Sequence, residues 1–325
     1  MSADLEALHP LPVDSPLWSE NYAWTCYDPN AQAGILLHLG RMPHQQHLMR
    51  STVVAYLPRG RLAVWKAVAP LVVPGSPGAG VATVGNGNLT LACERPLERW
   101  TLRYDGVARC TDREALAAGR LADEGVVGLR IELAFEQLAP IWDLGAMMNL
   151  GETHYEQFGR YTGTITLADP SGGTATTHTV DAPGYRDHST GKRDLAGFGG
   201  HVWTHAYFPS GRAFTAFRVY GPDGSTGLND GVLLTDGELA DAPPLSVPLL
   251  ADTLGGPDEV TITMPGAGPI TGRVVHGVPL SLGEPNDFHL GADLTVGRKV
   301  MLDCPARFDW DGETAYGWLE RSAVL

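Results

Sequence analysis

Charged residues are scarce in this chain of 325 residues, and basic residues are the scarcer kind. Asp, Glu, Lys and Arg make up 18% of it, and 37 acidic against 23 basic residues leave a formal net charge of −14. Nucleic-acid binding needs clustered Lys and Arg to neutralise phosphates, so this balance argues against a nucleic-acid partner. No basic amphipathic stretch suggests binding to a membrane surface. The composition predicts an acidic, soluble, globular protein.

Cysteines and long apolar runs are also few. The four cysteines, Cys26, Cys93, Cys110 and Cys304, lie far apart and form no C-x-x-C pair. Structural zinc sites use closely spaced ligands, so we expect reduced thiols and no metal. No segment approaches about 18 apolar residues, which argues against a membrane-spanning helix. The acidic residues 1–6 do not resemble a signal peptide, so we expect a cytoplasmic location.

Helical patterns are nearly absent, whereas 40 Gly and 24 Pro are dispersed along the chain. This composition is typical of strands joined by tight turns. One helix is predicted over residues 111–122, with Thr111 as its cap and Glu114 at capping-box spacing. Alternating apolar runs predict a hairpin of strands 51–57 and 61–65, and further strands at 89–94, 100–104, 129–135, 159–167, 201–208 and 214–220.

These strands predict an all-β protein with little helix and two domains. We expect an N-terminal domain over residues 1–145 and a C-terminal domain over residues 146–325, because the strand pattern breaks near residues 138–143. Each half would supply roughly six to nine strands, which is enough to close a small barrel or stack two sheets.

The densest group of reactive side chains lies in residues 184–205, within the expected C-terminal domain. Residues 184–194 read Gly-Tyr-Arg-Asp-His-Ser-Thr-Gly-Lys-Arg-Asp, and residues 201–205 read His-Val-Trp-Thr-His. Two Arg-Asp pairs bracket a His and a glycine-containing turn. The stretch therefore combines proton donors, proton acceptors, fixed cations and a large aromatic surface, and it is our candidate site.

Adding water to an isolated alkene requires a carboxyl group that burial keeps neutral, with a partner that orients water. Asp187 and Asp194 have suitable chemistry for the acid, and His188 or His201 could orient water. An alternative is open, because each Asp follows an Arg and a guanidinium lowers the pKa of a nearby carboxyl. In that case the two Arg-Asp pairs are structural.

Several side chains could bind the substrate. Trp203 lies two residues after His201, so both occupy one strand face, and its ring could stabilise a developing cation by about 0.5–2 kcal/mol. His205 shares that face if the strand is regular. Tyr185 and Glu156 are further candidates for contact with the substrate. The alternative is that Trp203 is a core residue and His201 a hydrogen-bonded spacer.

Short motifs occur in a recognisable order at residues 26–29, 39–43, 99–106, 135–140, 154–157, 163–165, 184–194 and 312–317. In this order the chain resembles the AttH-like and carotenoid 1,2-hydratase-like family over nearly its whole length. The resemblance implies two tandem lipocalin-like β-barrels with a pocket near their junction. It also implies hydrophobic, often isoprenoid-like or polyketide substrates, with no metal or organic cofactor. The His-x-Trp pattern at residues 201–203 resembles the catalytic region of the carotenoid hydratases.

These observations favour a cofactor-independent hydratase or dehydratase, a lyase that acts by acid–base chemistry on a hydrophobic alkene or alcohol. Asp187, His188, His201 and Asp194 are the catalytic candidates, and Arg186 and Arg193 would hold the carboxylates. Two alternatives remain: an isomerase or cyclase of a polyunsaturated substrate, and a non-catalytic carrier of a hydrophobic small molecule. The sequence leaves open whether the chain forms a homo-oligomer.

Overall fold

The chain forms two large, curled, antiparallel sheets that give two tandem barrel-like units, which confirms the predicted fold class. The computed structural model describes residues 3–71, 83–121, 125–145, 153–168, 173–283, 285–292 and 299–325. Within these ranges no helix has the length and apolar character needed to cross a membrane. All four cysteines are free thiols.

The first sheet closes into a barrel because β4 pairs with both β3 and β7. Around the barrel the strands follow the order β4-β3-β2-β1-β11-β10-β8-β7, and β5 and β6 extend from β7 as a hairpin. The strands described in this sheet are β1 (Trp18–Asp28), β2 (Ala33–Arg41), β3 (Leu48–Leu57), β4 (Arg61–Pro70), β5 (Thr83–Asn86), β6 (Leu89–Arg95), β7 (Arg99–Asp112), β8 (Val126–Gln137), β9 (Trp142–Asp143), β10 (His154–Ala168) and β11 (Thr176–Lys192).

The second sheet has the order β15-β14-β13-β12-β21-β20-β17-β16, with β18 pairing β19 and β20. Its strands are β12 (Gly200–Tyr207), β13 (Ala213–Tyr220), β14 (Thr226–Thr235), β15 (Glu238–Asp241), β16 (Glu259–Ile262), β17 (Ile270–Val274), β18 (Val278–Gly283), β19 (Asp287–Leu290), β20 (Lys299–Trp310) and β21 (Glu313–Val324).

The predicted strands are all present, but the predicted helix is shorter than expected. Helix α1 spans only Arg113–Ala117, and its cap is Asp112, whose carboxylate accepts a hydrogen bond from the Ala115 amide. Thr111 still belongs to β7. Three 3₁₀ turns lie at Ala3–Glu6, Pro43–Gln45 and Pro58–Gly60.

The change of sheet occurs later in the chain than the expected domain boundary at residue 145. Strands β10 and β11 pair with β8 and β1 and therefore belong to the first sheet, whereas β12 begins the second sheet at Gly200. The segment 184–192 lies in β11 and not in the C-terminal unit. It is also a regular strand rather than a turn, because β1 and β10 supply hydrogen-bonding partners on both sides.

Three large apolar clusters and a small one around Trp142 lie in the interior of the described part of the chain. One fills the first barrel around Trp24, Trp100 and Phe135, and another fills the second unit around Phe214 and Phe308. A third cluster joins the two units. It contains residues from the outer faces of both sheets: Tyr56, Phe158, Tyr185, Trp203, Phe288 and Trp318. The outer face of one sheet therefore packs against the outer face of the other.

Candidate functional site

A cavity of about 320 Å³ lies between the outer faces of the two sheets. Its ionisable lining includes His38, His154, Glu156, Asp187, His201 and Glu320. Its aromatic lining consists of Phe198, Trp203, Phe217 and Phe288. Small-molecule sites usually occupy about 300–1,000 Å³ and combine apolar walls with a few placed polar groups. The cavity has both properties, so it is the candidate functional site.

Strand alternation decides which side chains of β11 reach the cavity. Asp187 and Ser189 line it, whereas Arg186 and His188 point into the first barrel. The pairing register extends this polar face over four strands. Two rows cross β10, β11, β1 and β2 in that order: Glu156, Asp187, Ala23 and His38, and next to them His154, Ser189, Asn21 and Gly40.

The second sheet supplies the opposite wall in the same way. The side chains of His201 and Trp203, two residues apart on β12, both face the cavity as expected. Two rows cross β13, β12, β21 and β20 in that order: Phe217, Trp203, Glu320 and Asp303, and next to them Val219, His201, Ser322 and Met301.

Asp187 is an ionised carboxylate in this site. Burial of the side chain raises its pKa. Nε2 of His154 lies 2.6 Å from Oδ2 of Asp187, and Arg193 adds positive charge. Together these cations outweigh the effect of burial, so the pKa of Asp187 is lowered. Asp187 and Glu156 in turn raise the pKa of His154 to about 9, against the opposing effect of burial. Asp187 is therefore suited to accepting a proton and not to donating one.

Glu320 has the opposite electrostatics. Burial raises its pKa, a hydrogen bond shared with Asp303 lowers it, and the negative charges of Asp187 and Glu156 raise it, so that the pKa of Glu320 is about 7. Burial and the Glu320 charge raise the pKa of Asp303 well above its usual value. The two adjacent carboxyl groups therefore hold at least one proton near neutral pH, and Glu320 is the member of the pair that faces the cavity.

His201 connects this acidic pair to a hydroxyl group. Its Nε2 lies 2.5 Å from Oε1 of Glu320, and its Nδ1 lies 2.6 Å from Oγ of Ser322. Burial lowers the pKa of His201 to about 4, so the ring is neutral and the contact with Glu320 is a hydrogen bond between two groups that can exchange a proton. Since a hydroxyl both donates and accepts, Ser322 can stabilise either ring tautomer.

Trp203 links the two sheets directly. Its indole Nε1 donates to Oε1 of Glu156 at 3.1 Å, and Thr215 donates to the other oxygen of Glu156 at 3.4 Å. Both Trp203 and Glu156 line the cavity. The indole ring is thus held in position by a charged acceptor on the opposite wall.

His188 and Arg186 lie outside the cavity, contrary to the catalytic role expected for His188. The side chain of His188 is buried in the first barrel, with Nε2 at 3.1 Å from Oε1 of Glu20 and its ring stacked on Tyr22. Arg186 forms a bidentate ion pair with Glu6 at 2.8 and 2.9 Å. The ion-pair partner of Arg186 is therefore Glu6 and not Asp187.

Three other candidates have different surroundings from those expected. Tyr185 and His205 stack with ring centroids 4.1 Å apart in the core between the sheets, beside the cavity and not lining it. Asp194 lies at the cavity edge, where Lys192 and the Ala196 amide lower its pKa. An exposed carboxyl with a lowered pKa does not suit the role of a neutral acid.

Two groups of side chains have a geometry that a metal ion could use. In each group, His154–Glu156–Asp187 and His9–Glu20–His188, the potential ligand atoms lie within 4.8 Å of one another. Arg41 forms an ion pair with Glu20, which places a positive charge beside the second group. The first group lines the cavity and is already joined by the ion pair between His154 and Asp187.

Sequence reasoning missed Glu320, Asp303 and the role of His154. Asp303 on β20 and Glu320 on β21 are opposite each other in the second sheet. The available signal was the presence of Asp303 and Glu320 in otherwise apolar strands, since a charged residue is seldom buried without a specific partner.

The family described as a domain of unknown function, DUF7064, matches residues 2–324. The chain belongs to this family. Comparison of this DUF7064 member with curated proteins gives no significant match.

Solved structures share the fold of this DUF7064 protein. A candidate AttH from Nitrosomonas europaea superposes with a TM-score of 0.63 at 15% identity, covering 95% of this chain and 92% of that one. The structure of CghA with Sch210972 superposes with a TM-score of 0.61 at 15% identity, covering 95% of this chain and 88% of that one. Another CghA structure superposes with a TM-score of 0.55 at 14% identity, covering 98% of this chain and 93% of that one. The AttH-like architecture expected from the motifs is therefore present.

Proposed function

We propose that this protein is a hydro-lyase that removes water from, or adds it to, a small and largely apolar substrate held between the two sheets. The observation that carries the proposal is the pair of contrasting carboxyl groups in one cavity. Burial raises the pKa of Glu320 to about 7, while His154 lowers that of Asp187. Two acids whose surroundings separate their pKa values are the usual basis of acid–base catalysis.

In the dehydration direction Glu320 donates its proton to the departing hydroxyl, which leaves as water. Asp187 accepts the proton released from the neighbouring carbon, and a carbon–carbon double bond forms. The hydration direction reverses these steps, and exchange with water restores both carboxyl groups. A carboxyl with a pKa near 7 is well matched to assisting the departure of a hydroxyl. Protonating an unactivated alkene carbon needs a much stronger acid, so we favour an alcohol as the substrate.

The other walls suit a reaction with positive charge developing on carbon. Trp203 and Phe217 are neighbours across β12 and β13 and both line the cavity. An aromatic face stabilises a cation by about 0.5–2 kcal/mol. His201 contacts Glu320 and keeps its carboxyl oriented. The resemblance to carotenoid 1,2-hydratase-like proteins supports water addition or removal. Because the volume of the cavity is near the lower end of small-molecule sites, we propose a small terpenoid-like alcohol as the substrate.

The experiment is incubation of the protein with a panel of small tertiary and allylic alcohols in heavy-oxygen water, followed by mass spectrometry. We expect alkene formation and incorporation of the label into the alcohol. Glu320→Gln should lower the rate by at least about 100-fold, since general acid–base groups contribute about 10²–10⁴-fold. Glu313→Gln is the matched control, because Glu313 lies on the same strand and binds Arg212 outside the cavity.

An isomerase or cyclase of a polyunsaturated substrate is the second candidate. It is supported by the fold shared with CghA, whose crystal structure contains Sch210972, and by the aromatic lining of the cavity. Product formation without incorporation of heavy oxygen would favour it over the lyase. Tight binding with no product from any substrate would instead support a carrier.

A further inference from the structure

One end of the cavity contains polar atoms that the acid–base chemistry does not use. Oδ1 of Asn21 and Nε2 of His38 are buried, and no hydrogen-bond partner for either lies within the described part of the chain. Asn21 is 2% exposed and His38 is 4% exposed, and both line the cavity. A buried polar group without a partner costs about 1–3 kcal/mol, so these atoms favour a hydrogen-bonding group from a molecule in the cavity.

Gly40 creates the space between these atoms. A Cβ on Gly40 would lie 3.0 Å from Oδ1 of Asn21, 3.7 Å from Cε1 of His38 and 4.0 Å from the carbonyl oxygen of Asn286. The three groups therefore surround one point beside the Gly40 backbone. We call this space the Gly40 niche, formed by Gly40, Asn21, His38 and Asn286.

The groups that form the niche are themselves uncharged. Burial lowers the pKa of His38 to about 4, which leaves its ring neutral, and the ring stacks on Phe288 with centroids 3.8 Å apart. Behind it the Asp287 carboxylate pairs with Lys66 at 2.5 Å and with Arg50 at 3.7 Å. The ligand group that fits is consequently a neutral one.

The polar atoms also determine the hydrogen bonds that this group must make. The Asn286 carbonyl accepts only, so the ligand must donate a hydrogen bond to use it. The Asn21 side-chain nitrogen binds Oγ of Ser19 at 2.8 Å. If the amide is turned over, the other polar atom faces the niche, so an unpaired atom remains in either orientation. A hydroxyl donates once and accepts twice, so it satisfies all three groups when the Asn21 amide nitrogen and Nε2–H of His38 donate to it and it donates to the Asn286 carbonyl.

We propose that the Gly40 niche binds a hydroxyl group of the substrate, distinct from the one that reacts at Glu320. This inference rests on the proposed function for the position of the reaction. His38 and Asp187 are separated by one intervening strand, which puts their backbones about 10 Å apart at the usual strand spacing. The substrate is then a small apolar molecule with a second hydroxyl roughly that far from the reacting carbon.

Binding of a matched pair of probes tests the niche without requiring turnover. The probes are 1-octanol and heptyl methyl ether, which have the same atoms, but the ether lacks a hydrogen-bond donor. Calorimetric titration should show at least about tenfold tighter binding of the alcohol, the value of one buried hydrogen bond. Equal binding of the two probes, or no binding of the alcohol up to its solubility, would overturn the proposal.

Variants locate the hydroxyl. Gly40→Ala fills the niche, and His38→Phe keeps the ring stack but removes the ring nitrogens. Both variants should bring the binding ratio, the affinity for 1-octanol divided by that for heptyl methyl ether, close to one. Gly128→Ala is the control: it is also a strand glycine of the first sheet, and its added Cβ would lie 3.3 Å from Ala168. Its ratio should match that of the wild type. A ratio retained in both niche variants would contradict the proposal.

Glu320→Gln separates this inference from the proposed function. If the hydroxyl of the probe occupies the niche, this variant keeps the wild-type binding ratio. Loss of the ratio would put the hydroxyl at the acid and overturn the niche. Conversely, an intact ratio with no dehydration of any alcohol would contradict only the proposed function.

Discussion

Nε2 of His201 lies 2.5 Å from Oε1 of Glu320, and both side chains face the cavity between the two sheets. The contact joins β12 to the last strand of the chain. Because Asp303 hydrogen-bonds the same carboxyl, Glu320 lies between a neutral imidazole and a second acid. This arrangement leads to predictions on stability as well as on catalysis.

Glu320→Gln should stabilise the protein at neutral and higher pH. The pKa of Glu320 is raised from 4.5 to about 7 on folding, so its ionisation costs stability progressively as pH rises through this range. Below pH 4.5 the acid is neutral in both states and the variant should match the wild type. Above about pH 7 the free energy of unfolding should be higher in the variant by on the order of 3 kcal/mol.

Urea denaturation at several pH values measures this difference, with Glu313→Gln as the control. A difference that is the same at all pH values would mean that folding does not raise the pKa of Glu320. It would contradict the role of Glu320 as the proton donor. Stabilisation with loss of activity is the expected trade-off at a functional site.

The ion pair of His154 and Asp187 should couple the two residues in a pH-dependent way. The pKa of His154 is raised from 6.5 to about 9, so its contribution to stability is complete below pH 6.5 and is lost as pH rises through 9. A double-mutant cycle with His154→Gln and Asp187→Asn should give a coupling of about 1.5–3 kcal/mol near pH 6.5, with less at higher pH.

Asp194→Asn offers a contrast, because Asp194 is exposed and pairs with Lys192 at the surface. Combined with His154→Gln it should show no coupling. A coupling between His154 and Asp187 that persists unchanged above pH 9 would show that the imidazole is not charged in this pair.

The pair of Glu6 and Arg186 should support folding without contributing to the cavity. Both side chains are buried, and the guanidinium is surrounded by the rings of Trp24, Trp100 and Tyr155. Glu6→Gln leaves that buried cation without its anion, which should cost about 3–5 kcal/mol of unfolding free energy. Binding of 1-octanol per folded molecule should remain unchanged.

Glu136→Gln is the matched control, since Glu136 forms an exposed pair with Arg99 and should change stability by less than about 0.5 kcal/mol. Loss of cavity binding in a folded Glu6→Gln protein would show that the first barrel and the cavity are linked, contrary to this assignment.

Much of the fold could be predicted because strand alternation and turn residues are local signals. The hairpin around Pro58-Arg59-Gly60 is an example, since both strands and the turn between them are visible in sequence. The stretch 184–192 was misinterpreted because Ser, Thr and Gly favour turns in isolation. Pairing with β1 and β10, which are remote in sequence, overrides this preference.

The site could be predicted only in part. Alternation correctly separates Asp187 from Arg186, and it puts His201 and Trp203 on one face. It also excludes His188 from the face of Asp187, once the segment is recognised as a strand. Glu320 and His38 could not be assigned to the cavity from sequence, because their proximity to Asp187 depends on strand register and on the packing of one sheet against the other.

The most direct test of the central claim is an infrared titration of Glu320, comparing the wild type with Glu320→Gln. The difference spectrum isolates the carboxyl group of this residue from all others. We expect a neutral carboxyl band that persists well above pH 4.5 and disappears near pH 7. A Glu320 that is already ionised by pH 5, about half a unit above its ordinary value, would contradict its assignment as the acid.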